Sequence, residues 1–170
     1  MSDVFHCRCN ASRLVATGIP LLRAYCHCSS CRSFHGGPMF AATVWRSADV
    51  SAATGANFIK QYPHPTLQMQ RYFCAICGDV MYATNRLGFK VVPNTVPANT
   101  CDGVVPERFV PTAHVYYAFR QVDVDDTLPK YLERPGGPMH LVNEAVVNGA
   151  LAAADGSPCW GQPALTWSVD

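Results

Sequence analysis

Apolar and polar positions along this chain alternate in short runs instead of recurring every three to four residues. Leu21 to Tyr25, Met39 to Trp45, Asn57 to Tyr62, Thr66 to Phe73, Val80 to Thr84, Phe89 to Val92 and Ala113 to Phe119 combine β-branched or aromatic residues with Gly, Pro, Asn or Asp punctuation. The pattern predicts antiparallel strands joined by turns, and thirteen prolines suit such a loop-rich β architecture. No βαβ alternation is present and no phosphate-binding glycine loop follows a strand, which argues against a nucleotide enzyme. One segment reads as helical: Leu141 to Ala153, where Leu141, Val142, Ala145, Val146 and Ala150 form an apolar stripe. It predicts a short C-terminal packing helix. Tyr116, Tyr117 and Phe119 read as core or sheet-face aromatics.

Composition narrows the function classes. A chain of 170 residues, 49% hydrophobic and 15% charged, can bury a real core as a single globular domain. Its formal charge of +1 and the lack of a Lys/Arg run leave no field to attract nucleic acid or an acidic polymer. The start, Met-Ser-Asp-Val-Phe-His-Cys, has no basic segment followed by an apolar run. No later run approaches the roughly 20 apolar residues of a membrane span. The expectation is a cytoplasmic protein without membrane or nucleic-acid partners.

Nine cysteines alter that picture, because a reducing compartment disfavours a disulfide framework and an odd count leaves one thiol over. Seven of them fall in three clusters: Cys7-x-Cys9, Cys26-x-Cys28-x-x-Cys31 and Cys74-x-x-Cys77-Gly78. Cys-x-x-Cys followed by glycine is a zinc knuckle, with two thiolates on one turn, backbone N–H groups aimed at sulfur and a residue free to take positive φ. On an extended segment, Cys7 and Cys9 would share a face. Two plus two ligands make a closed tetrahedral site, so Cys7, Cys9, Cys74 and Cys77 are expected to hold a structural zinc. Four scattered core cysteines would be the plain alternative.

The pairing leaves Cys26, Cys28 and Cys31 as a three-thiol set. Zinc that does chemistry has three protein ligands and an open position, where a substrate thiol can bind and ionise at neutral pH. Cys101, His35 and His114 compete for that fourth place. Cys101 also reads as a surface thiol, His35 as a turn residue and His114 as a hydrogen-bonded strand histidine. His27, between two ligands, points away from them in an extended backbone.

Taken together and in order, Cys7-x-Cys9, Cys26-His-Cys-Ser-Ser-Cys-Arg32, Phe73-Cys-Ala-Ile-Cys-Gly78, Pro111-Thr-Ala-His114 and Asp126-Thr-Leu-Pro129 resemble the glutathione-dependent formaldehyde-activating enzyme and centromere protein V family. The resemblance spans about Phe5 to Tyr131. It implies a mainly β fold, an antiparallel β-tent stapled by zinc, with two zinc ions per chain divided as ligand counting divides them. Asn10 stands where the family carries glycine after the first Cys-x-Cys; asparagine tolerates positive φ. Residues 1–135 are the expected family domain and 136–170 an extension packing on it.

The resemblance implies a carbon–sulfur lyase or synthase that reversibly joins glutathione and formaldehyde into S-hydroxymethylglutathione. Cys26, Cys28 and Cys31 would hold the thiolate-binding zinc, and His35 or His114 would handle the proton of the developing alkoxide. Arg32 would either meet a glutathione carboxylate through a bidentate contact or offset the thiolate charge of the metal loop. Asp123, Asp125 and Asp126 read as a solvated loop. The alternatives are the same scaffold with a different small substrate, or a non-catalytic zinc-stabilised interaction module. A homodimer is left open.

Overall fold

The computed structural model describes residues 2–63, 65 and 69–140. In chain order the elements are β1 (Ser2–His6), β2 (Arg13–Thr17), β3 (Leu22–Cys26), α1 (Ser29–His35), β4 (Phe40–Trp45), β5 (Val50–Ala52), β6 (Ile59–Pro63), β7 (Gln70–Cys74), β8 (Val80–Thr84), β9 (Lys90–Pro93), α2 (Thr95–Asn99) and β10 (His114–Val115), with 3-10 turns between them. The protein is mainly β, and the pairings with a resolved register are antiparallel. The expected helix from Leu141 to Ala153 lies outside the described residues, as do 66–68 of the expected fourth strand. No helix of the described residues is long and apolar enough to cross a membrane.

Two compact units are present, one within Met1–Tyr25 and Ala41–Ala113, the other within Cys26–Phe40 and the chain from His114 onward. In the first, β1, β2 and β5 form a three-stranded sheet in that order, and β3-β4-β9-β8-β7-β6 run side by side in a larger one. Period-two patterning makes β1 and β2: Asp3 and Phe5 are buried while Ser2 and Val4 are exposed, and Leu14 and Ala16 are buried opposite them. Phe5 stands across from Leu14 in the register. The core of this unit gathers Phe5, Leu14, Trp45, Val50, Met81, Val92, Val96 and Phe109, with Phe109 edge-on to Phe5 at 5.3 Å. Fully burying side chains of this size contributes about 1.5–3 kcal/mol each. Trp45 Nε1 donates to Thr43 Oγ1 at 2.8 Å, so the largest core side chain buries no unpaired donor. The carboxylate of Asp3, buried on the β1 face, is paired with the Arg108 guanidinium.

In the second unit, α1 is capped at both ends. Cys28 accepts from the Cys31 N–H at 3.4 Å, and Gly36, in the left-handed region, donates to the Arg32 carbonyl at 2.9 Å. The expected strand from Ala113 to Phe119 is shorter than its composition suggests. Tyr116 takes φ +56°, its N–H donates to the Glu133 carbonyl, and Tyr117–Phe119 form a 3-10 turn. This turn delivers the Tyr117 ring to the interior, where it is 1% exposed.

One glycine shows how tightly the first unit is closed. Gly55 has φ +74°, and a Cβ there would sit 1.8 Å from the Ala11 carbonyl oxygen. Gly18 has φ +84° with nothing within 4 Å. Gly18→Ala should therefore cost only the backbone term of about 1–2 kcal/mol, and Gly55→Ala about 3 kcal/mol or more, because backbone must move. Thermal unfolding of the two variants compares them directly; equal shifts in Tm would contradict the close approach.

Candidate metal centres and their surroundings

Within the first unit, the chain after β1 turns sharply. Asn10 takes φ +60°, its N–H donates to the Cys7 carbonyl at 2.8 Å, and the sulfurs of Cys7 and Cys9 come to 3.4 Å. The extended segment expected here is thus a turn, and for a physical reason: residues i and i+2 of a strand lie roughly 6.5 Å apart, whereas a turn folds them together. Asparagine supplies the positive φ that glycine would. After β7, Cys74 to Cys77 form the knuckle, with the Gly78 N–H on the Cys74 carbonyl at 2.8 Å and Gly78 at φ +80°.

The ligand atoms of Cys7, Cys9, Cys74 and Cys77 all lie within 4.8 Å of one another. Donors surround them: the Ser12 N–H reaches Cys7 Sγ at 3.3 Å, and the buried Ser12 hydroxyl lies 3.6 Å from Cys74 Sγ. Desolvation raises the Cys74 thiol, but it is outweighed by the N–H groups of Cys77 and Ile76 and the Ser12 hydroxyl, which bring it down to about 6. Cys9 goes the other way. The Ala11 N–H pulls it down, yet desolvation and hydrogen bonds with Cys7, Cys77 and Cys74 push it up to about 12. Thiols this close to one another cannot share negative charge cheaply, and a soft donor set of this kind suits a thiophilic cation. Asp79 braces the loops, accepting from the Arg8 N–H at 2.6 Å and from Asn99 Nδ2 at 3.1 Å. Neither Ser12 nor Asp79 stands out in the sequence, since a single hydroxyl and a single carboxylate carry no spacing signal.

Within the second unit, the ligand atoms of Cys26, Cys28 and Cys31 lie within 4.8 Å of one another, and among the described residues no fourth His, Cys, Asp or Glu joins the set. Cys28 is fully buried. Hydrogen bonding to Cys28 and Cys31, with burial, pushes the Cys26 thiol well above its usual range. Here too the sulfurs fit a thiophilic cation. Neither His35 nor His114 is brought into the cluster. His35 stacks flat on Phe40 at 3.7 Å, and His114, fully buried, has Nδ1 at 2.8 Å from His27 Nε2 and Nε2 at 2.9 Å from Asp126 Oδ2. Arg32 donates from Nε to the His27 carbonyl at 2.8 Å. Cys101, in the other unit, is exposed in the turn after α2, its N–H on the Ala98 carbonyl.

The family model for the glutathione-dependent formaldehyde-activating enzyme matches residues 4–119. The chain belongs to this family. Both cysteine clusters of this formaldehyde-activating enzyme family member fall within the matched residues. Among curated proteins none matches. A crystal structure of a Rhodobacter sphaeroides protein is similar at 23% identity, covering 65% of this chain and 98% of that chain with a TM-score of 0.49.

Sequence reasoning overlooked the polar interior of the second unit. His27 is not among the ligand atoms of the three-thiol cluster, and its Nε2 lies against His114 Nδ1. Asp126 is the exposed loop residue expected, but its carboxylate is tied to two buried side chains of the interior. Desolvation raises it, and the Lys130 ammonium at 2.6 Å with the His114 ring more than compensate, bringing its carboxyl down to about 2. Burial, with the Arg32 guanidinium nearby, lowers His27 to about 4. Asp126 opens the Asp126-Thr-Leu-Pro129 motif, so that motif was the available signal. Asp123, by contrast, is largely exposed and pairs with Arg120.

If the two clusters divide into a structural and a working site, their loss should separate in experiment. Cys74→Ser should lower the unfolding free energy by about 4 kcal/mol or more, because metal loss there is loss of folding energy. Cys28→Ser should lose one metal per chain and keep cooperative unfolding. Metal stoichiometry and thermal unfolding of both variants check this, and equal loss of folding in the two would refute the division.

Proposed function

We propose that this family member is a zinc-dependent carbon–sulfur lyase or synthase acting on glutathione adducts, in a reaction of the S-hydroxymethylglutathione type. The supporting observation is the three-thiol cluster of Cys26, Cys28 and Cys31 with no fourth protein ligand among the described residues. Zinc held by these three would keep a substrate thiol ionised at neutral pH.

The remaining chemistry falls to the chain's own side chains. A thiolate sulfur adds to the carbonyl carbon of formaldehyde; the C–S bond forms, the π pair moves to oxygen, and that oxygen takes one proton to become the hydroxymethyl group. His35 is assigned that proton. It sits four residues after Cys31 on α1, so the two share a helix face, and its ring stacks flat on Phe40. His114 is less suited to direct transfer, since both its ring nitrogens are already engaged. Arg32 holds the His27 carbonyl with Nε, and its terminal nitrogens are assigned to a glutathione carboxylate. Cys7, Cys9, Cys74 and Cys77 are assigned the second, structural zinc.

Cobalt-substituted protein titrated with glutathione tests the reading. Two metals per chain should bind, and one of the two absorption spectra should shift saturably as the substrate sulfur joins the three thiolates. Two bound metals with no shift would sink glutathione as the thiol. Cys28→Ser should abolish both the shift and turnover.

A further inference from the structure

Among the described residues of the second unit, Nδ1 of His27 is a buried side-chain nitrogen with no hydrogen-bond partner. A native interior rarely tolerates such an atom, and the other polar atoms of His27 are all bonded. The His27 N–H donates to the Val115 carbonyl at 3.0 Å, its carbonyl accepts from Arg32 Nε at 2.8 Å, and its Nε2 faces His114 Nδ1 at 2.8 Å. The ring is also held edge-on to Tyr117 at 4.9 Å, and His114 meets the same tyrosine at 5.6 Å. Backbone and ring are thus fixed, and only Nδ1 is left over.

The direction of the hydrogen bonds can be worked out from the far end. Asp126 Oδ1 accepts from Lys130 Nζ at 2.6 Å and from the Leu128 N–H at 3.2 Å; Lys130 is 5% exposed and also donates to the Asp126 carbonyl at 2.8 Å. A carboxyl pinned by a buried ammonium is an ionised acceptor. Oδ2 must therefore receive a hydrogen from His114 Nε2. A second positive charge on the fully buried His114, beside an Asp126 charge already balanced by Lys130, would be uncompensated and costly. His114 is then neutral, so its Nδ1 accepts and His27 Nε2 donates. The His27 ring is itself fully buried, where a charge would be just as costly, so it too is neutral and its Nδ1 carries a bare lone pair.

We propose that Asp126 and His114 are positioning residues that lock His27 in its Nε2–H tautomer, making His27 Nδ1 a built acceptor for a small O–H donor beside the three-thiol loop. The donor is a water or a substrate hydroxyl; both offer the hydrogen that the lone pair requires and are small enough for a buried position. This assignment concerns the resting protein and stands whether or not glutathione is the thiol substrate.

The test is a long-range ¹H–¹⁵N correlation spectrum of the histidine rings in the full-length, zinc-loaded chain. Wild-type protein should show His27 with a protonated Nε2 and a non-protonated, hydrogen-bonded Nδ1. In Asp126→Asn the side-chain amide can donate, which reverses the chain: His114 and His27 should both exchange their protonated and bare nitrogens, and Asp126→Glu should restore the wild-type pattern. A protein whose fold was merely loosened would not swap tautomers in both rings together. Adding glutathione with formaldehyde separates the two donors: a shift of the His27 Nδ1 signal identifies a substrate hydroxyl, and an unchanged, hydrogen-bonded signal identifies water. A protonated Nδ1 in the wild type, an Nδ1 free of any hydrogen bond in both conditions, or unaltered tautomers in a folded Asp126→Asn would overturn the proposal. The wild-type spectrum alone decides the matter if that variant does not fold.

Discussion

Thiols held within 4.8 Å of one another cannot all ionise unless a cation stands among them, and both units of this protein contain such a group. In the first unit the constraint reaches well beyond the sulfurs. The turn at Asn10, the knuckle closed at Gly78, the hydroxyl of Ser12 and the carboxylate of Asp79 all serve to bring two distant pairs of cysteines to one point. Gly55 belongs to the same set, because its backbone passes so near Ala11 that no side chain fits between. Cation binding and folding are linked in such a site: the geometry that the metal needs is the geometry that the strands create.

The second unit solves a different problem. Among its described residues it buries two imidazoles, a lysine and a phenol ring, so the hydrogen bonds of these polar groups weigh heavily in its stability. Tyr117 is central to this. Its ring is the surface against which His27, His114 and His140 pack and over which Arg120 lies, and its hydroxyl accepts from the Val124 N–H at 2.9 Å. A short turn and one left-handed residue, Tyr116, are enough to place it there. The three-thiol loop is consequently flanked by a hydrogen-bonded polar network.

The cysteine clusters were legible in the sequence because metal-ligand chemistry is read from local spacing. Thiols two or three residues apart can converge only on a turn, and Cys-x-x-Cys-Gly specifies that turn by itself. Ligand counting across three clusters then suggested which groups belong together, and β3, β4, β6, β7, β8 and β9 followed from residue type and punctuation, whereas the short β5 did not. The family resemblance drew on the same short motifs. What these signals share is that each depends on residues close together in the chain.

The features that only the tertiary structure decided depend on residues far apart. His27 and Asp126 are about a hundred positions apart, yet His114 links them through two hydrogen bonds, and no spacing rule announces such a chain. Asp126 is exposed, as its loop sequence suggested, but only the fold places Lys130 and His114 beside its carboxylate. Cys7 and Cys9 looked extended until the φ of Asn10 was known. The sequence by itself determined the cysteine clusters and the strand-rich class, because those follow from local covalent spacing and side-chain chemistry. The orientation of the buried polar groups was decided by tertiary packing, because a hydrogen-bond donor acquires its direction only from the acceptor that folding brings to it.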